Sequence, residues 1–286
     1  MPSTQLSNLA HLAPSYDALL CDVWGVIHNG IKAFPAAVEA LVNYRAQGGV
    51  VVLITNAPVP SQPIIEMLDR LGVPRTAWDA IVSSGDATRA LLAPYKGRII
   101  HHVGPQTNDD ALYEGLGLVR GQAAEAEVVV VTDLDHDDEE PEVYAPRVAQ
   151  WLERNLPMIC ANPDKVVEHG DQLIYCGGAL GDYYAERGGT VQMAGKPFAP
   201  IYDEAFRLAE VAAGRKLEKP RILGVGDSVR TDATGAAGFG IDLLFVSGSI
   251  HAAEIDAFAN PDAAVIEALV APSGARLAGF LPRLVW

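Results

Sequence analysis

Four short segments of this chain each end an apolar run on a side chain with chemical capability. "LLCDVWGVIHNG" (19–30) reaches Asp22, and "VVVLITN" ends on Thr55 and Asn56. "VQMAGKP" carries Lys196, and "RILGVGDSVRTD" carries Asp227 with Asp232 five residues further on. A carboxylate, a hydroxyl, a lysine and a second pair of acids, in this order, form the set that phosphoryl transfer through an aspartyl group requires. Asp22 can attack phosphorus only if its charge is masked from that of the phosphate, which calls for a divalent cation shared with Asp227. Mg²⁺ fits, because this hard ion is content with one or two carboxylates, waters and substrate oxygens. Thr55 and Lys196 would bind the equatorial oxygens, with Asn56 beside them, and Asp232 would orient Lys196 or a metal-bound water from further out.

Such residues are useful only if strands bring their ends together. "LLCDV" is followed by a helical pattern over 34–46 with Phe34, Val38, Leu41 and Val42 on one stripe, then by "VVVLITN". A second helix with Ile64, Leu68 and Leu71 on one face closes at Gly72 and leads to "AIVSSG". This βαβαβ rhythm predicts a parallel sheet with right-handed crossovers. It resumes with a helix over about 198–213, the strand "RILGVGD", a short helix around 231–238 and the strand "LLFVSG". The fold class expected is α/β: a doubly wound, parallel-sheet, Rossmann-like core whose strand ends converge on one crevice.

Between the two arms lie "RIIHHVG", "EVVVVTDL", "MICANPD" and "LIYCGG", with helices near 108–117 and 144–155. This is enough for a separate α/β layer, so the domains expected are a discontinuous core, 1–86 and 194–286, and an inserted domain, 87–193. The run "TDLDHDDEEPE" holds seven carboxylates in eleven residues and reads as a solvated loop, lacking the spacing and glycine of a calcium loop. Adjacent His101 and His102 point to opposite faces if they lie on a strand.

The formal charge of −15 disfavours nucleic acid and anionic membranes as partners, and a small anionic substrate would need a local cation, which Lys196 supplies. Apolar residues make up 49% and charged residues 20%, ordinary for a folded globular chain. No apolar stretch of about 18 residues occurs and the N-terminus lacks a basic, then apolar, leader pattern, so the expected location is cytoplasmic. Cys21, Cys160 and Cys176 sit in apolar runs without a CxxC pair, as buried reduced thiols do.

The ordered set resembles the haloacid dehalogenase (HAD) superfamily, and within it the NagD-like class IIA phosphatases, which carry a large inserted cap. "ITNAP", "CANPD", "YCGGALGDYYAERGG", "AGKP" and "GVGDSVRTD" carry the likeness over nearly the whole chain. The resemblance implies Asp22 as nucleophile, Thr55 and Lys196 as phosphate ligands, and Asp227 with Asp232 as the acidic motif at the metal. It adds the backbone carbonyl of Trp24 as a metal ligand, a small phosphorylated metabolite as substrate and a homodimer formed through the cap.

Trp24 departs from that pattern, since hydrolytic members carry a second Asp two residues beyond the nucleophile. An indole N–H cannot deliver and recover a proton, and acid–base assistance is worth about 10² to 10⁴ in rate. The expectation is therefore a Mg²⁺-dependent phosphatase working through an aspartyl-phosphate on Asp22, its acid/base replaced by Trp24; the alternative is a weakened protein that binds a phosphorylated ligand as a sensor. His28, in the same loop, is a candidate stand-in for the acid or a hydrogen-bonded loop residue. Asn162 and Asp164 of "ANPD" face the substrate or form a strand-end turn. A dinucleotide enzyme is disfavoured because "GVGDSV" lacks the third glycine of GxGxxG, and a serine hydrolase because no G-x-S-x-G elbow occurs.

Overall fold

The computed structural model describes residues 5–105, 109–169, 172–253, 255 and 262–286. Along the chain run β1 (Ala18–Asp22), α1 (Pro35–Ala46), β2 (Val50–Thr55), α2 (Ser61–Arg70) and β3 (Ala80–Ser83). Next come α3 (Ser84–Leu92), β4 (Ile99–Val103), α4 (Asp110–Tyr113), β5 (Val119–Arg120), β6 (Val128–Val131), α5 (Ala145–Glu153) and β7 (Met158–Cys160). β8 (Val166–His169), β9 (Gln172–Tyr175), α6 (Gly177–Ala185) and β10 (Val191–Met193) follow. The chain closes with α7 (Ala199–Ala213), β11 (Ile222–Gly226), α8 (Thr234–Phe239), β12 (Asp242–Val246), α9 (Ala263–Val270) and β13 (Arg276–Leu281). The chain divides into two compact units, one of residues 1–55, 62–82 and 196–286, the other of 56–61 and 83–195.

In the first unit six strands lie in the order β13-β12-β11-β1-β2-β3, and the ladders β1–β2, β1–β11, β11–β12 and β12–β13 are all parallel. β1, β2 and β11 are buried along their whole length, the burial expected of strands covered by helices on both faces. The expected α/β class, a Rossmann-like core with an inserted α/β cap, is the fold observed. Within α1, however, the buried face is Ala37, Ala40, Leu41 and Tyr44, rotated from the stripe read in the sequence. Small Ala side chains let the helix approach closely, and the Tyr44 hydroxyl donates to the Tyr16 carbonyl over 2.8 Å, so Val38 and Val42 are left half-buried.

The second unit has its own parallel sheet, β10-β7-β6-β4-β5. Alternate residues feed two cores: Val129, Val131, Trp151, Met158 and Tyr184 on one side, Ile100, Val128, Val130, Leu112 and Ile159 on the other. The two histidines of β4 follow the same alternation. His101 lies against Trp151 with ring centroids 6.0 Å apart, while His102 Nδ1 is 2.7 Å from the Tyr113 hydroxyl. The "LIYCGG" strand does not join this sheet; β9 pairs antiparallel with β8 in a separate ribbon. The acidic run is largely solvated, with His136, Asp137, Asp138, Glu140 and Glu142 exposed. Asp135 accepts from Arg147 and the Gly104 N–H, and Glu139 accepts from the Tyr144 hydroxyl. Cys21, Cys160 and Cys176 are free and buried, and among the described residues no helix is long and apolar enough to cross a membrane.

Candidate active site

The chain runs from β1 outward through β2 and β3, then returns to the other side of β1 as β11, so the sheet reverses its winding between β1 and β11. Loops diverge there and leave a crevice at the carboxyl ends of the strands. Register sets Cys21 opposite Val225, which brings Asp22 at the end of β1 beside Asp227, the residue that follows β11. Asp232 is returned to the same spot by one π turn, Val229–Ala233, in which the Asp232 and Ala233 N–H groups both donate to the Ser228 carbonyl. Gly226 makes room for it, since a Cβ at that position would lie 2.2 Å from Asp232 Cγ.

Carboxylate oxygens of Asp22, Asp227 and Asp232 come within 4.8 Å of one another, and all three residues are buried. Lys196, also buried, donates to Asp22 Oδ1 over 2.6 Å and to Asp232 Oδ1 over 2.7 Å. The second oxygen of Asp232 accepts from the N–H groups of Asp227 (3.2 Å) and Ser228 (3.1 Å). Burial, opposed by Lys196 and reinforced by Asp232 and Asp227, pushes the Asp22 carboxyl well above its usual range. Burial and then Asp232 push Asp227 up to about 6. At Lys196 burial works against the charge, but Asp22 and Asp232 outweigh it and hold the ammonium pKa well above its usual value.

One ammonium cannot balance three buried carboxylates, and uncompensated buried charge is costly. The raised carboxyl pKa values are the same imbalance seen as proton affinity. A divalent cation corrects it, and a set of hard carboxylate oxygens suits Mg²⁺ rather than a softer ion. The expected Mg²⁺ site is therefore present, with Asp232 clustered beside Asp22 and Asp227 and in contact with Lys196.

The weakened site inferred from Trp24 is corrected by this cluster. Three intact acids converge, and the indole of Trp24 is not among them. The expectation rested on Trp24 standing two residues beyond Asp22, where the family pattern has a second Asp, but β1 ends at Asp22 and the chain turns at Gly25, with φ +80°. The ring lies instead against Gly30 and edge-on to His28, with centroids 5.3 Å apart and planes at 73°. Neither the acid-depleted phosphatase nor the sensor alternative, both argued from a missing acid, survives. His28 is buried and its Nδ1 accepts from the Gly30 N–H over 2.8 Å, which makes it a neutral loop brace, and burial lowers its pKa further.

Thr55 is buried at the end of β2, whose register sets Ile54 opposite Asp22. The other expected substrate contacts lie together in the second unit. Asn56 Nδ2 donates to Asp164 Oδ1 over 3.2 Å, and Asn162 Oδ1 accepts from the Asp164 N–H, also over 3.2 Å. Sequence reasoning overlooked Ser249, whose side chain hydrogen-bonds Asp227. A Cβ on Gly25 would lie 2.0 Å from Asp227 Oδ2 and 2.4 Å from Ser249 Oγ, so the bare glycine lets the three meet. The signal was available, because "VSGS" follows β12 at the carboxyl edge of the sheet.

Residues 19–118 match the haloacid dehalogenase-like hydrolase family, and residues 193–271 match a second HAD-hydrolase-like family. No curated protein matches the chain. A possible sugar phosphatase of the HAD superfamily from Cytophaga hutchinsonii shares the fold at 21% identity, TM-score 0.75, with 97% of each chain covered. NagD from Escherichia coli shares it at 22% identity, TM-score 0.65, covering 94% of this chain and 96% of NagD. A haloacid dehalogenase-like hydrolase from Brucella suis is much nearer in sequence, at 43% identity and TM-score 0.82, with 98% of this chain and 100% of that one covered. That degree of identity, sustained from end to end, goes beyond a shared fold: the chain belongs to the haloacid dehalogenase-like hydrolases.

Proposed function

We propose that this protein is a Mg²⁺-dependent phosphoric monoester hydrolase acting on a small phosphorylated metabolite. The observation that carries the reading is the buried cluster of Asp22, Asp227 and Asp232 bridged by Lys196 at the carboxyl edge of the core sheet. Asp22 is the reacting carboxylate, Lys196 and Thr55 hold phosphoryl oxygens, and Asp232 fixes Lys196. Asp22 and Asp227 would hold the cation, which supplies charge neutralisation at the phosphoryl group. The Trp24 carbonyl is a further ligand in this reading, supported by the close approach of Gly25 to Asp227. Asn56, Asn162 and Asp164 bind the rest of the substrate, and their mutual hydrogen bonds support a joint role.

Three buried free cysteines support a reducing, cytoplasmic setting. Association of two copies through the inserted domain is part of the same proposal, resting on the family resemblance, and sedimentation would test it. For the activity, the decisive assay is hydrolysis of p-nitrophenyl phosphate in Mg²⁺ by the full chain. Turnover that is lost with EDTA and in Asp22→Asn is expected. A folded, Mg²⁺-binding protein that cleaves no member of a broad phosphomonoester panel would overturn the reading.

A further inference from the structure

Three large apolar side chains stand in solvent on the segments that carry the polar cluster: Trp24 is 62% exposed, Phe198 41% and Ile250 69%. Each is one or two residues along the chain from a group already placed. Trp24 lies two beyond Asp22, Phe198 two beyond Lys196, and Ile250 one beyond Ser249, the partner of Asp227. Single exposed apolar residues need no explanation. Three on separate loops around one cluster of charges are a pattern, because this is where a fold seeking solubility would place polar groups.

Trp24 is also held in place. Gly30 adopts φ +85°, and a Cβ there would lie 2.4 Å from the indole Cη2, so the loop is shaped around the ring. His28 braces the ring edge-on, and the Gly25 N–H donates to the His28 carbonyl over 2.8 Å. Fixing an indole while most of it stays in water gives up rotamer freedom without the full return from burial. A rigid, exposed aromatic is well suited to contact a ligand, since it offers a large apolar face with little freedom left to lose.

We infer that Trp24, together with Ile250 and Phe198, is an apolar platform for the non-phosphate part of the substrate, so that the preferred class is a phosphomonoester of a planar or otherwise apolar alcohol rather than of a polyol. This rests on the phosphatase reading. Trp24 then has two separable parts: its backbone runs beside the cation site, and its ring selects the leaving group.

The test compares benzyl phosphate with glycerol 1-phosphate, both primary alkyl esters, in Mg²⁺ with the full chain. Trp24→Ala is expected to reduce the benzyl-to-glycerol ratio of kcat/KM by about three- to ten-fold, the range an aromatic contact supports, mainly through KM. Trp24→Phe should keep most of the preference, and Gly30→Ala, which displaces the ring without touching a carboxylate, should reduce it. Binding gives an independent readout: calorimetry should show Trp24→Ala weakening phenylphosphonate more than methylphosphonate. An unchanged ratio in a protein that still hydrolyses both esters overturns the inference and leaves the phosphatase reading standing. An equal loss on both esters overturns it too, since the ring would then not discriminate between leaving groups. No turnover of either ester, with wild type binding neither phosphonate, removes the phosphatase reading and this inference together.

Discussion

The Lys196 ammonium donates to Asp22 Oδ1 over 2.6 Å, although 174 residues separate the two in sequence. The same nitrogen reaches Asp232 Oδ1 at 2.7 Å, so one buried cation ties the end of β1 to the π turn after β11. Three buried acids stand against that one buried ammonium, and the site's behaviour follows from the resulting imbalance.

Lys196→Met removes the ammonium that two buried carboxylates, Asp22 and Asp232, share. Breaking a buried pair from one side costs about 3–5 kcal/mol, and this is the expected loss at neutral pH in EDTA. Urea unfolding of the core, followed alongside phosphatase activity, measures it. Lys196→Arg should recover little activity, because a planar guanidinium fork cannot replace a compact ammonium placed between two oxygens.

The pH dependence of stability without metal has a definite sign. The folded-state pKa of Asp227 is raised to about 6, above that of an unfolded carboxyl. Its contribution is therefore fully present below the unfolded value of about 3.8 and is lost as pH rises through about 6. In EDTA the Tm should fall across that window. Asp227→Asn should flatten the fall, and Mg²⁺ should reverse most of it at pH 7 and above by favouring the ionised form. A Tm in EDTA that rises steadily from pH 4 to 7 would contradict the assignment.

Gly25→Ala should damage the cation site without removing any polar side chain. The new Cβ would lie 2.0 Å from Asp227 Oδ2, and φ +80° is strained for any L side chain. A cost of about 1–3 kcal/mol is expected for the backbone alone. Isothermal titration should show weaker Mg²⁺ binding than in wild type; unchanged affinity would mean that Asp227 is not held by this contact.

Trp151→Ala tests the second unit separately. Trp151 is fully buried and packs edge-on to Tyr184 at 5.9 Å. Truncation of a buried Trp costs about 3–5 kcal/mol. Hydrogen exchange should lose protection first at β6 and β7, with β1 and β11 less affected. Equal loss in both units would mean that they unfold as one.

The sequence by itself determined the strands and what stands at their ends. Continuous apolar runs such as "ALLCD" and "ILGVG" can be buried only inside a two-sided parallel sheet, and alternation along β4 sends His101 and His102 to opposite faces whatever the partners. Asp22, Asp227 and Lys196 were legible for that reason, each lying at or just past an element whose path is fixed by its own pattern. Only the tertiary structure decided what the loops do beyond those ends. Asp232 was legible from its spacing after Asp227, but the π turn that returns it to the cluster was not, and neither was the meeting of Ser249 with Gly25. The direction of the Trp24 ring is set by positive φ at Gly25 and Gly30, two backbone choices that reverse a side chain without altering any hydrophobic period.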